Sequence, residues 1–228
     1  MQPSVPSFLI RRDAGAPALR PDRQEVIADG IVHGIGLTLA LIGFGMILND
    51  TGVWATTGGA AAAIVYGIVL VTGLAVSMTY NLWPEGGRKQ LLRRCDHSLI
   101  FLLIAATYTP FLERASNHLE ARIMLFAIWG LAFAGVAIKT RQALERHRLS
   151  VVLYLVMGWS GIVVLRPIAD SVPGISLVLL VAGGVIYSLG VVFHVWERLR
   201  FQTAIWHAFV VAAAMVHYSA VIAAFRAG

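Results

Sequence analysis

Asp96 and His97 stand at the head of a long apolar run, CDHSLIFLLIAATYTPFL, from Cys95 to Leu112. A carboxylate and an imidazole there can exchange protons, bind a polar ligand or hold a metal, yet neither is cheaply solvated in such surroundings. Three other stretches repeat the theme at helical spacing. Glu25, Asp29 and His33 recur every fourth residue, which lines them up along one face of a helix. Ser77 and Asn81 repeat the same step, as do Thr203 and His207.

Composition decides what carries these residues. Of 228 residues, 58% are hydrophobic and only 13% charged, and the mean hydropathy is +0.75. An ordinary globular domain has about a quarter charged residues. Apolar windows recur that are long enough to cross a hydrocarbon core about 30 Å thick. The reading is an all-α membrane protein with seven transmembrane helices in one bundle. The spans run from about Glu25 to Leu48, Val53 to Trp83, Cys95 to Leu112, Ala121 to Ile138, Ser150 to Leu165, Ile175 to Trp196, and Ala204 to Ala224. The fifth is diluted by Trp159, Ser160 and Gly161.

Charge sets the expected orientation. Fourteen of the eighteen Lys and Arg residues fall in the N-terminal arm and in the segments around Pro84–Arg94, Lys139–Arg148 and Glu197–Arg200. The positive-inside rule therefore places the N-terminus in the cytoplasm and the C-terminus outside. The basic residues lie between spans, so the expected partners are membrane lipids, with anionic headgroups at the cytoplasmic loops, and not nucleic acid. Residues 1–22 hold four prolines and scattered arginines and read as a flexible cytoplasmic arm, with residues 23–228 as the membrane domain. Cys95 is the single cysteine, which excludes an intramolecular disulfide and a multi-cysteine metal site.

With alternating spans, the polar residues fall at one depth. Glu25, Asp29 and His33 lie in the inner half of the first span, Ser77 and Asn81 near the inner end of the second, Asp96 and His97 at the inner end of the third, and Thr203 and His207 at that of the seventh. A buried polar site near the cytoplasmic face follows, since an ionisable residue within lipid is a functional hypothesis by default. Each residue also has a plainer role. Asp96 and His97 could be interfacial caps, Ser77, Asn81 and Thr203 could be helix–helix hydrogen-bond partners, and Glu25 could sit in water. His217, ten residues beyond His207, reads as a hydrogen-bonding residue of the core. The plainer roles leave the common depth of Asp29, His33, Asp96 and His207 unexplained.

Over about residues 24–220 the chain resembles the haemolysin III family, the bacterial branch of the progestin and adipoQ receptor group that includes the adiponectin receptors. The resemblance is carried by CDHSLIFLLIAATYTPF from Cys95, by EVIADGIVHGIG from Glu25, with Asp29 where the family usually has Asn, and by AIWHAFVVAAAMVHY from Ala204. It implies an intramembrane zinc near the cytoplasmic side, held by one histidine of a Ser-x-x-x-His motif and two of a His-x-x-x-His motif. A third-span aspartate orients the metal-bound water, and lipid amide hydrolysis is the attributed chemistry. Carried over, Asp96 matches that aspartate, Ser77 the motif serine and His207 one metal ligand. Asn81 and Thr203 stand where the other two histidines belong, so the resemblance implies a degenerate metal site, with His33 and Asp96 as the available replacement ligands. Catalytic zinc usually keeps three protein ligands and an open position.

The expected function is that of a bacterial inner-membrane protein acting in membrane-lipid homeostasis or sensing. The alternatives are a metal-dependent intramembrane lipid amide hydrolase, with Asp96 positioning water and Ser77 assisting the oxyanion, and a cytolytic, pore-forming haemolysin. For a pore the sequence offers neither a repeated charged ring nor a long amphipathic segment.

Overall fold

The computed structural model describes residues 22–50, 52–141 and 147–226; apart from Asp22, the N-terminal arm lies outside them. Seven helices, or helix pairs in one line, are long and apolar enough to cross a membrane, and they pack as an all-α bundle. Helix α1 (Arg23–Asn49) starts from a capping box in which Asp22 accepts from the Glu25 amide and Glu25 accepts from the Asp22 amide. This reciprocal pairing satisfies two of the backbone donors orphaned at a helix start. A 3-10 turn at Val53–Ala55 leads into α2 (Thr57–Leu82), capped by the Thr56 hydroxyl. Then follow α3 (Gly87–Arg114) and α4 (Leu119–Thr140).

The fifth span is broken. It comprises α5 (His147–Trp159), a 3-10 stretch at Ser160–Val164 and the short α6 (Leu165–Ala169). In lipid a break leaves backbone groups that must find partners inside the protein. Tyr108 of α3 supplies them: its hydroxyl donates to the Gly158 carbonyl and accepts from the Gly161 amide at 2.9 Å. Gly161 is required by this approach, because a Cβ there would fall 2.4 Å from the Tyr108 ring. Helices α7 (Gly174–His194) and α8 (Gln202–Arg226) complete the bundle.

The faces of α1 show which solvent surrounds the bundle. Ile27, Ile31 and Ile35 are 50–58% exposed, whereas Asp29 and His33 are 4% and 1% exposed. A water-soluble helix would be turned the other way. Helix α1 lies against α8 closely enough that a Cβ on Gly36 would meet Val211 at 2.5 Å, the small-residue contact that lets membrane helices approach. At the end where α1 starts, Glu25 also accepts from the Phe201 amide at 2.9 Å, and Arg200 donates to Gln24 at 2.7 Å. Phe201 has a φ of 58°, the one positive value at a non-glycine among the described residues, and the Glu25 contact pins this strained corner. At the opposite end Arg226 donates to Asp50 at 2.7 Å. The first and last spans are thus clamped at both ends and run the same way.

Three boundaries differ from the sequence reading, one of them the end of the fifth span, which runs on past Leu165 to Ala169. Helix α3 begins at Gly87, well before Cys95, because Arg, Lys, Gln and Leu are good helix formers that need no lipid around them. Hydropathy locates the buried part of a helix and not its start. The second span begins only at Thr57, the residues before it forming the 3-10 turn.

Candidate functional site

The polar positions of α1, α2, α3 and α8 come together inside the bundle. His207 Nδ1 lies 2.6 Å from Asp29 Oδ1, and the His33 and His207 rings meet edge to face with centroids 4.2 Å apart. His33 Nδ1 lies 2.9 Å from the Asp29 carbonyl and 3.5 Å from Asp29 Oδ2, while its Nε2 lies 3.2 Å from the Ser77 hydroxyl. A carbonyl oxygen only accepts, so Nδ1 of His33 carries a proton, while the Ser77 hydroxyl has one proton to give and two neighbours, His33 Nε2 and Asp96. Asp96 interacts with that same Ser77 hydroxyl and, through space, with His207 and Asp29. Three buried groups, Asp29, His33 and His207, have ligand-capable atoms within 4.8 Å of one another.

The remaining positions have other neighbours. Glu25 is buried, but its carboxylate is committed to the caps of α1 and to Phe201. It is a structural joint one turn from the trio. Asn81 donates to the Ser77 carbonyl of its own helix at 2.8 Å. Thr203 is exposed, with its hydroxyl 3.4 Å from Gln202 Oε1. His97 bonds the Arg93 carbonyl at 2.7 Å and stands 3.5 Å from Asp96. Asp96, one of the two replacement ligands that the sequence offered, is outside the converging trio; Asp29 is in it instead. The sequence reading offered His33 and Asp96 as replacement ligands and not Asp29, although its i, i+4 relation to His33 was the available signal. His217 bonds the Leu180 carbonyl of α7 at 3.0 Å.

Beside the trio a cavity of about 950 Å³ opens among α3, α5, α7 and α8. Its wall includes Asp96, Asn81, Thr203 and His207 at one level, and Trp159, Tyr187 and His217 farther in. The step from His207 to His217 is roughly 15 Å along a helix, so the cavity reaches well into the membrane. Its far part is aromatic and aliphatic, with Ile104, Leu155, Trp159, Leu180, Val181 and Tyr187 on the wall. The sequence alone did not show this space, because its lining comes from helices far apart in the chain.

A family model described as haemolysin-III related matches residues 23–218. The chain belongs to the haemolysin III-related family. It is 33% identical over 199 residues to "Hemolysin-3" of Bacillus cereus, covering 87% of this chain and 91% of that one. It is 32% identical to a "Hemolysin-3 homolog" of Bacillus subtilis, covering 82% and 88%. It is also 30% identical over 223 residues to the human "Monocyte to macrophage differentiation factor", covering 94% and 90%. Relatives of both bacterial and animal origin tie it to the progestin and adipoQ receptor-like group.

The site can now be weighed against the zinc of that group. Two imidazoles and a carboxylate are a donor set that zinc accepts. The spacing is that of a different object. Two ligands of one tetrahedral zinc, each about 2.0–2.1 Å from the ion, stand roughly 3.3 Å apart. The 2.6 Å between His207 Nδ1 and Asp29 Oδ1 is a hydrogen bond, and both nitrogens of His33 are already engaged. The haemolysin III-type site here is a buried but incomplete His/Asp metal cluster, closed by its own hydrogen bonds.

Proposed function

We propose that this protein binds an amphiphilic lipid in its interior and acts in the sensing or homeostasis of membrane lipid. The observation that carries this reading is the cavity, ionisable at the level of Asp96 and His207 and mainly aromatic and aliphatic beyond it, His217 apart. A ligand with one polar end and one chain matches that gradient, and pockets of about 300–1,000 Å³ suit ligands of this size. Titrating the purified protein with a monoacylglycerol should give a saturable change in tryptophan fluorescence, since Trp159 and Trp206 line the cavity. Gly184→Leu, which places bulk on the wall, should abolish it. A change that never saturates, or one that Gly184→Leu leaves intact, would reject the reading.

The proposal includes a bacterial inner-membrane location, membership of the bacterial branch, and an N-terminus in the cytoplasm, supported by the basic residues gathered at the end where α1 starts. A phosphatase reporter joined after Gly228 should then be active and one near Arg146 silent; the reverse pattern would invert the orientation.

A second reading is a lipid amide hydrolase, with Asp96 and Ser77 in the catalytic roles. The gathering of two imidazoles and a carboxylate favours it. Elemental analysis of protein purified without added metal, with Asp29→Ala as the control, separates the readings: stoichiometric zinc lost in the variant supports the hydrolase. The name of the Bacillus cereus relative carries a lytic activity, for which dye release from liposomes is the test on this chain.

A further inference from the structure

Several polar groups on the far wall of the cavity have partners within the protein. The Trp159 indole donates to the Ser188 hydroxyl at 3.0 Å, Ser188 donates to the Gly184 carbonyl at 2.8 Å, and Tyr108 closes the break in the fifth span. Tyr187 and His217 differ. They line the cavity together, with ring centroids 5.6 Å apart. His217 is only 8% exposed, and its Nε2 lies 3.0 Å from the Leu180 carbonyl, so that nitrogen carries a proton. No carboxylate pairs with the ring among the described residues. A buried imidazolium without a counter-charge is costly, so the ring is neutral and Nδ1 is a bare acceptor. Among the described residues neither that Nδ1 nor the Tyr187 hydroxyl has a hydrogen-bond partner. Neither atom is sealed within packed protein, as the lone hydroxyls of Ser98, Ser150 and Ser176 are; the open space beside both residues is the cavity.

We propose that Tyr187 and His217 form a second polar subsite, and that the preferred ligand is a lipid whose chain carries a hydroxyl far from its polar end. A hydroxyl both donates and accepts. It gives its proton to His217 Nδ1 and accepts from the Tyr187 hydroxyl. A ketone in the same place only accepts, and a plain chain does neither. A site built to bond a hydroxyl disfavours the analogue that lacks it, because the site's own polar groups are then left unpaired. Position follows from the helix. His217 lies roughly 15 Å beyond His207 along α8. With the polar end level with His207, the hydroxyl belongs roughly two-thirds of the way down a stearoyl chain. This inference rests on the lipid-binding reading above and narrows its ligand class.

The test is a set of binding titrations of the full chain in a neutral detergent, read by tryptophan fluorescence. The probes are four monoacylglycerols of one chain length: a plain stearoyl chain, one with a hydroxyl two-thirds of the way down, one with a ketone there, and one with a hydroxyl beside the carbonyl. The distal hydroxyl should tighten binding about tenfold over the plain chain, the size expected from two ordinary hydrogen bonds. The ketone and the hydroxyl beside the carbonyl should not. Tyr187→Phe, which keeps the ring, should remove most of the advantage while affinity for the plain chain stays unchanged. The comparison among lipids stands on wild type alone, even if the variant fails to fold. Equal affinity for the plain and distally hydroxylated lipids would mean that the two groups hold only water, and would overturn the subsite. So would an advantage shared by the ketone or by the hydroxyl beside the carbonyl, or one that survives in folded Tyr187→Phe. Each of these outcomes leaves the lipid cavity standing. Failure of all four lipids to bind overturns the lipid-binding reading as well.

Discussion

The Ser77 hydroxyl lies 3.2 Å from His33 Nε2, joining α2 to α1 through a side chain whose other nitrogen is fixed by the Asp29 carbonyl. A proton on Nδ1 follows from that arrangement. Nitrogen NMR of histidine-labelled protein at neutral pH should show a His33 ring protonated at Nδ1. Ser77→Ala should lower stability by about 1 kcal/mol, the usual worth of a buried hydrogen bond. Thermal unfolding in detergent measures it, and a ring bare at Nδ1 would contradict the geometry.

Asp29 and His207 form the tightest side-chain contact between α1 and α8. A double-mutant cycle with Asp29→Asn and His207→Gln should return a coupling of about 1–3 kcal/mol. Asp29→Ala should cost more than Asp29→Asn, because it leaves His207 buried without its partner. Additive effects would show that the pair is only adjacent.

The incomplete metal cluster can be completed. Positions 81, 203 and 207 line the same cavity, and each pair keeps the i, i+4 step along its helix. Asn81→His combined with Thr203→His should offer three imidazoles and an open position. The double variant should retain near-stoichiometric zinc through purification and gain stability that a chelator removes. Apparent binding free energies of structural zinc reach about 10–16 kcal/mol, so partial success is measurable. Each single variant should gain much less. Stoichiometric zinc in the wild type would overturn the incomplete-site description.

At the far end of α1, burial pushes the Asp50 carboxyl up, but the bonds and charge of Arg226 and the Gly52 amide outweigh it and hold the carboxyl below its ordinary range. A depressed folded-state value means the contribution is fully present above the ordinary aspartate range. It is lost as pH falls through the depressed value. Stability followed from neutral to acid pH should therefore decline more steeply in wild type than in Arg226→Gln, whose loss at neutral pH is already complete. Parallel profiles would remove the pair from the acid limb.

Much of the fold is legible in the sequence, because hydropathy responds to the solvent around a helix. Each of the seven spans read from the sequence falls on one of the seven helical segments long and apolar enough to cross a membrane. Helix α3 escapes that rule at Gly87–Arg94, since helical hydrogen bonds continue past the membrane surface. The break at Ser160–Val164 is foreshadowed by Trp159, Ser160 and Gly161, but its closure by Tyr108 depends on a residue about fifty positions away. The site divides similarly. Spacing and depth bring Asp29, His33, Ser77, Asp96 and His207 to one level. Whether Asp29 or Asp96 faces the histidines depends on how each helix is rotated, and that is set by contacts such as Gly36 against Val211. Glu25 shows the limit of periodicity: it shares a face with Asp29 and serves a cap.

The junction of the first and last spans bears on how the chain is made. Asp29 and His207 are 178 positions apart, so during synthesis α1 enters the bilayer long before its partner exists. Until α8 arrives, the Asp29 carboxylate of α1 lacks its imidazole partner, an arrangement that costs a few kcal/mol per charge. Chains cut short before His207 leave that carboxylate permanently without the imidazole. They present to membrane quality control a mark that only completed chains conceal.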